Sequence, residues 1–305
     1  MFSDPKAPRV ATSDLTDPAG RSSHPLWKTF LFFLAPMLLS NILQSLSGTL
    51  NNIYVGQMLG VGALAAVSSF FPVMFFFIAF VIGLGAGASV LIGQAWGAGD
   101  IDKVRAVAGT TLTVGVLMGL LVALFGGVFT TPMLAVLGTP ADVLADSTRY
   151  ARIMLIAMPG LFVFLLSTAM LRGVGDTVTP LMTLFISTLT GLVVTPALIR
   201  GWGGLPQLGV ASGAWATTVA FVVATLWLGW RLRHRKSPLA PDADFMRHLR
   251  IDPKLLKAVL KIGVPTGVQT IVIALAEIAL LSMVNSYGSS ATAAYGAVNQ
   301  VVAYV

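Results

Sequence analysis

The stretch Leu256–Val305, LKAVLKIGVPTGVQTIVIALAEIALLSMVNSYGSSATAAYGAVNQVVAYV, decides the fold because the chain has already written it once, as WKTFLFFLAPMLLSNILQSLSGTLNNIYVGQMLGVGALAAVSSFFPV from Trp27. Sliding by 229 positions pairs Lys28 with Lys257, Leu31 with Leu260, Pro36 with Pro265, Ile42 with Ile271 and Val55 with Val284. Dropping one residue then pairs Gly60 with Gly288 and Ala63, Ala65 and Ala66 with Ala291, Ala293 and Ala294. Basic entry, proline inside a helix, glycine turn and alanine-rich re-entry recur in one order, so the chain holds two copies of one unit. The second copy also contains Glu277, the one acidic residue inside the apolar run Ile262–Val305. An ionised carboxylate at mid-membrane costs roughly 3 kcal/mol on insertion scales, so it requires a partner or a role.

Composition fixes the class. Of 305 residues 56% are hydrophobic and 10% charged, with mean hydropathy +0.85, against about 25% charged in a soluble domain. The chain is an integral membrane protein. With no cysteine, disulfides, thiolate nucleophiles and cysteine metal sites are excluded, and His24, His234 and His248 lie in polar segments, which makes a histidine metal centre improbable.

Apolar spans are expected at 27–57, 63–96, 103–130, 146–171, 178–200 and 208–232, each long enough for a hydrocarbon core that needs roughly 20 helical residues. A seventh runs over 254–286 and an eighth begins near Ser290. The expected fold is an all-α polytopic membrane protein. It divides into a disordered cytoplasmic tail (1–26), an amino-terminal six-helix lobe (27–232), a cytoplasmic linker (233–253) and the start of a second, pseudo-symmetric lobe (254–305) of one to two helices. All but Arg149, Arg152 and Arg200 of the 19 Lys and Arg fall on one side, 16 in number, which the positive-inside rule assigns to the cytoplasm together with the amino terminus. The formal charge of +7 is therefore topology and not nucleic-acid binding. Six spans separate the copies, so the repeats are parallel, related by an axis along the membrane normal, with a cavity between them. Val305 maps onto Phe77, in mid-span, so a complete second copy needs on the order of 150 further residues and the sequence reads as a fragment.

Several residue sets carry the chemistry. Asn41, Gln44, Gly48, Asn51 and Asn52 recur at helical spacing as a polar stripe on the first span, facing either the cavity or span seven; interhelical hydrogen bonding without cargo contact is the alternative. Gln269 lies two turns before Glu277, and Asn299 and Gln300, with Asn285 and Tyr287, are weaker candidates of the same kind. A carboxylate in a partly dry cavity can hold a proton and release it when a cation arrives, which couples two fluxes; the bland alternative is a hydrogen bond to a neighbouring helix. Pro36 and Pro265, at equivalent repeat positions, are paired hinges or simple kinks. Arg172, Gly173, Gly175, Asp176, Thr177 and Pro180 form the connection between spans four and five. There Arg172 and Asp176 can pair, and Asp176 or Thr177 can cap the next helix. Gly83 to Gly87 and Gly115 to Gly119 carry the spacing of close helix packing. The segment DADFMRHLRIDPKLLKAVLK should lie on the inner membrane surface and tie the lobes together.

Pro36, LNNIYVGQMLGVGALAAVS, GASVLIGQAWGAGD and LRGVGDTVTP together resemble the multidrug and toxic compound extrusion (MATE) transporters, over about 27–305. The resemblance implies two six-helix lobes in a bacterial inner membrane and no cofactor beyond a coupling proton or sodium ion. It also implies antiport of organic cations or amphipathic drugs by alternating access, without enzymatic activity, in a full-length protein that is monomeric. Two departures stand out. Many members carry aspartate where this chain has Asn51, and members with a span-seven glutamate place it near Ile273, one turn before Glu277 and on the same face. A flippase for lipids or lipid-linked sugars, and a non-transporting truncated membrane protein, are the alternatives.

Overall fold

Backbone polar groups inside a bilayer must be satisfied within their own segment, so apolar runs of this length form helices. The computed structural model describes residues 26–136, 144–202 and 207–285; all of the expected tail but Leu26, and the eighth span from Ser290, lie outside them. The described elements are α1 (Leu26–Leu59), α2 (Val61–Gly97), α3 (Ile101–Val136), α4 (Leu144–Ile156), α5 (Met158–Gly173), α6 (Val178–Arg200), α7 (Ala211–His234), α8 (Ala243–Arg247) and α9 (Pro253–Asn285). Six of these are long and apolar enough to cross a membrane, and the α4–α5 pair adds a seventh when counted as one span. The protein is an all-α, multi-pass membrane protein.

Expected span four is broken. Its halves α4 and α5 meet at 53° around Ala157. Pro159 stands in the first turn of α5, where its missing N–H costs that helix nothing but cannot continue the ladder of α4.

Packing centres on α2, which touches α1, α3, α4, α5 and α9. Its inward residues Phe70, Leu84 and Ile92 are buried, as are Met154 on α4 and Phe162 and Leu166 on α5. The other side of the lobe is a second layer in which α6 lies between α1 and α7. Gly115 and Gly119 of α3 let α5 approach, since added Cβ atoms would sit 2.3 Å from Leu166 Cδ1 and 2.6 Å from the Pro159 Cα. Many membrane hydroxyls satisfy themselves on their own helix, as Thr183 donating to the Thr179 carbonyl and Thr217 to that of Gly213.

Most Lys and Arg collect at one end of the bundle, the basic end, where α2 turns into α3, α5 into α6, and α7 runs into the strap that precedes α9. At the first turn Gly99 adopts φ +73 and Asp100 accepts from the Lys103 amide, starting α3. The strap, residues 237–252, is docked on α3 and not free. Leu239, Ala240 and Phe245 are buried. Arg105 donates from Nε to the Pro238 carbonyl (3.3 Å) and lies 3.6 Å from the Asp242 carboxylate. Thr110 Oγ1 donates to the Arg250 carbonyl at 3.0 Å and accepts from the Asp252 amide at 3.3 Å, while Gly109 leaves room for the His248 carbonyl.

Candidate functional site

The strap sets α9 against α2. The two helices run antiparallel and cross through glycine: a Cβ on Gly87 would lie 2.2 Å from the Val259 carbonyl oxygen, one on Gly83 2.4 Å from that of Gly263, and one on Gly263 2.6 Å from that of Gly83. Gly267 extends the seam toward Ala79. Backbone meets backbone over two turns of each helix. Only glycine permits this approach, and it closes the space between the first lobe and α9 at the basic end.

Beyond the seam, α9 continues toward Glu277. At 1.5 Å per residue that position is about 15 Å past Gly267, and by helical register it is about 40° from the Gly263 line, the line that meets α2. Gln269 is exposed, about 120° around the helix from Gly263. The polar stripe of α1 lies on an open face: Asn41, Gln44 and Gly48 are exposed and Asn51 is half-buried, while Asn52 is fixed as a position on the helix. The main partners of α1 are α6 and α2, and those of α9 are α2 and α3. Among the described residues, α1 and α9 therefore lie on either side of α2. Asn299, Gln300 and Tyr287 lie outside the described residues. Pro36 and Pro265 both stand inside uninterrupted helices.

The connection from α5 to α6 bears out one expectation, the cap by Asp176, and corrects another. Arg172 and Asp176 do not pair; the carboxylate turns to Thr179, accepting from its amide at 2.9 Å and its hydroxyl at 2.6 Å. Local capping wins because Asp176 is three residues ahead of an otherwise unsatisfied helix N–H, with no long side chain to immobilise. Gly175 takes φ +83, which only glycine adopts freely, and Gly173 abuts the Ser89 carbonyl of α2. Thr177 and Pro180 are buried there.

The sequence reading missed polar atoms inside the first lobe. The hydroxyls of Thr111, Ser147, Thr148, Thr188, Ser212 and Thr225 are buried with no hydrogen-bond partner among the described residues. Ser147 and Ser212 stand beside the contact of Tyr150 with Gly213, next to the edge-on Phe70 ring. Their only signal in the sequence is a small hydroxyl residue within a span, and most such residues bond their own helix. A groove of about 620 Å³ between α2 and α3, lined by Val73, Phe76, Phe77, Phe129, Pro132, Met133 and Val136, is apolar throughout and offers no group that could read charge. Among the described residues no cluster of His, Cys, Asp or Glu could hold a metal ion.

The family model described as MatE matches residues 36–197, more than half of the chain. The chain belongs to the MatE family. Among MatE relatives, the "Probable multidrug resistance protein YoeA" of Bacillus subtilis is 46% identical over 285 residues, covering 93% of this chain and 62% of its own length. The "FAD transporter" of Shewanella oneidensis is 28% identical over 286 residues, again 93% of this chain and 62% of the relative. The crystal structure of a MATE protein in complex with MaD3S superposes with a TM-score of 0.81 at 24% identity, over 91% of this chain and 61% of that one, which fixes the fold. The MatE chain described here thus spans about 60% of the length of the relatives it matches.

Proposed function

We propose that this chain supplies the first lobe and the opening helix of a secondary multidrug exporter. It would pass organic cations or amphipathic drugs outward in exchange for protons or sodium ions by alternating access of two lobes. The observation that carries the reading is the register of α9: Val259, Gly263, Thr270 and Glu277 fall within a strip about 40° wide, whose first part forms the seam with α2. A helix closed at its basic end and carrying a carboxylate farther along the same line suits a cavity open at the opposite end. Glu277 would carry the coupling ion, and Gln269, Asn51 and Asn52 would be neutral polar groups of the cavity. In this reading the basic end faces the bacterial cytoplasm.

Membership in MatE and the multidrug name of the B. subtilis relative support the cargo class. An anionic cargo, as for a flippase, finds little to meet it, since α1 beyond Lys28 and α9 beyond Lys261 carry no Lys or Arg. The test is ethidium efflux from energised cells making the full-length protein or its Glu277→Gln variant at matched membrane levels. Efflux should be present in the first and lost in the second. Normal efflux by Glu277→Gln would remove the coupling role, and proteoliposomes under a pH or a sodium gradient would identify the ion.

A further inference from the structure

Among the described residues, the strap packs against α3 and leaves a second set of its side chains exposed. Toward α3 it buries Phe245 (4% exposed) and engages Arg105, Gly109 and Thr110. Away from α3 it leaves Met246 64%, Leu249 39% and Ile251 43% exposed, interleaved with exposed Arg247 and Arg250 and followed by exposed Lys254 and Lys257 on the first turns of α9. The nearby carboxylates are already used. Asp242 faces Arg105, Asp252 accepts from the Lys254 and Leu255 amides, and Asp244 lies 3.9 Å from Arg247. Among the described residues, Arg250, Lys254 and Lys257 have no acidic partner within 4 Å.

We propose that this outer face binds the anionic phospholipid headgroups of the leaflet at the basic end, through Arg250, Lys254 and Lys257, with Met246, Leu249 and Ile251 seated in the headgroup boundary. The strap joins α7 to α9 and is bonded to α3 near the end where these apolar helices begin or stop, which would set it at the leaflet boundary. Apolar side chains alternating with cations are the composition of an interfacial segment. Each Lys or Arg near an anionic surface strengthens binding about fivefold, so three together favour an anionic over a zwitterionic leaflet about a hundredfold. The strap is held on the first lobe while Lys254 and Lys257 belong to α9, so one patch of anionic lipid would touch both.

These 305 residues hold no cysteine, so in the full-length protein, with any cysteine outside them replaced by serine, Met246→Cys and Leu249→Cys each supply a single site for a spin label. Collisional accessibility to oxygen and to a water-soluble nickel chelate is compared in nanodiscs of phosphatidylcholine and of phosphatidylcholine with phosphatidylglycerol in equal parts. The expected result is oxygen-dominated labels with phosphatidylglycerol and water-dominated labels without it. The difference should shrink at high salt and in Arg250→Gln/Lys254→Gln/Lys257→Gln, whose charges are exposed. Labels open to water in both lipids would overturn the proposal. So would labels shielded from both reagents whatever the lipid, which would mean that protein covers the face. The readout does not depend on transport, so it stands apart from the exporter reading.

Discussion

Replacing Gly83 by alanine puts a methyl group where α9 passes closest to α2. The added Cβ would lie 2.4 Å from the Gly263 carbonyl oxygen and 3.0 Å from the Gly267 nitrogen, and both obstacles are backbone, which has no rotamer to move aside. Ordinary contact starts near 3.4 Å, so the helices must separate locally by about 1 Å, and a gap of that size forfeits a quarter to half of the dispersion well of the atoms lining it. Overpacking of this kind costs about 1–3 kcal/mol. Alanine returns about 1 kcal/mol through its helix propensity, leaving a net loss of up to about 2 kcal/mol. The control is Gly191→Ala in α6, where a Cβ meets nothing within 4 Å and only the propensity gain of about 0.5–1 kcal/mol remains. Thermal denaturation of the full-length protein in detergent, followed by tryptophan fluorescence, should therefore move in opposite directions for the two variants. If both are stabilised alike, the helices do not meet at Gly83 and the placement of α9 is wrong.

Two further outcomes follow from the basic end. Thr110→Val removes the hydrogen bond to Arg250 and the acceptor for the Asp252 amide, a loss of about 1–2 kcal/mol; amide exchange at Asp252 should rise severalfold, and Thr110→Ser should restore it. Asp176→Ala uncaps α6 by deleting both contacts to Thr179, costing about 1 kcal/mol. Asp176→Asn, which keeps an acceptor for the amide, should recover most of that in the same melting assay, whereas an ion pair with Arg172 would make the two variants equally poor.

Much of this architecture can be read from residue order alone, because bilayer thickness converts apolar length directly into spans and a glycine every fourth residue announces a close crossing. Gly83 and Gly87 gave that signal, but nothing local says that their partner is the line of Gly263 and Gly267, nearly two hundred residues away. The strap was legible as an amphipathic surface segment and not as a docked one. Its attachment depends on Gly109 and Thr110, which look like any other small residues of an apolar span. At Arg172 and Asp176 the sequence offered two outcomes, an ion pair or a cap on α6, and the cap forms because a backbone amide three residues on is nearer and needs less ordering. The candidate site divides in the same way. Glu277 is conspicuous as a charge, whereas the unpartnered hydroxyls of Ser147, Thr188 and Ser212 become visible only once burial is known.

The glycine seam also bears on motion. Interlocked side chains act as teeth, and helices joined by them must disengage those teeth and repopulate rotamers before they can shift. Where Gly83 and Gly87 face Gly263 and Val259 the surfaces are nearly toothless. Sliding of α9 along α2 therefore meets little friction from interlocked side chains, and the tether of the strap to Thr110 limits that travel at the end of the lever.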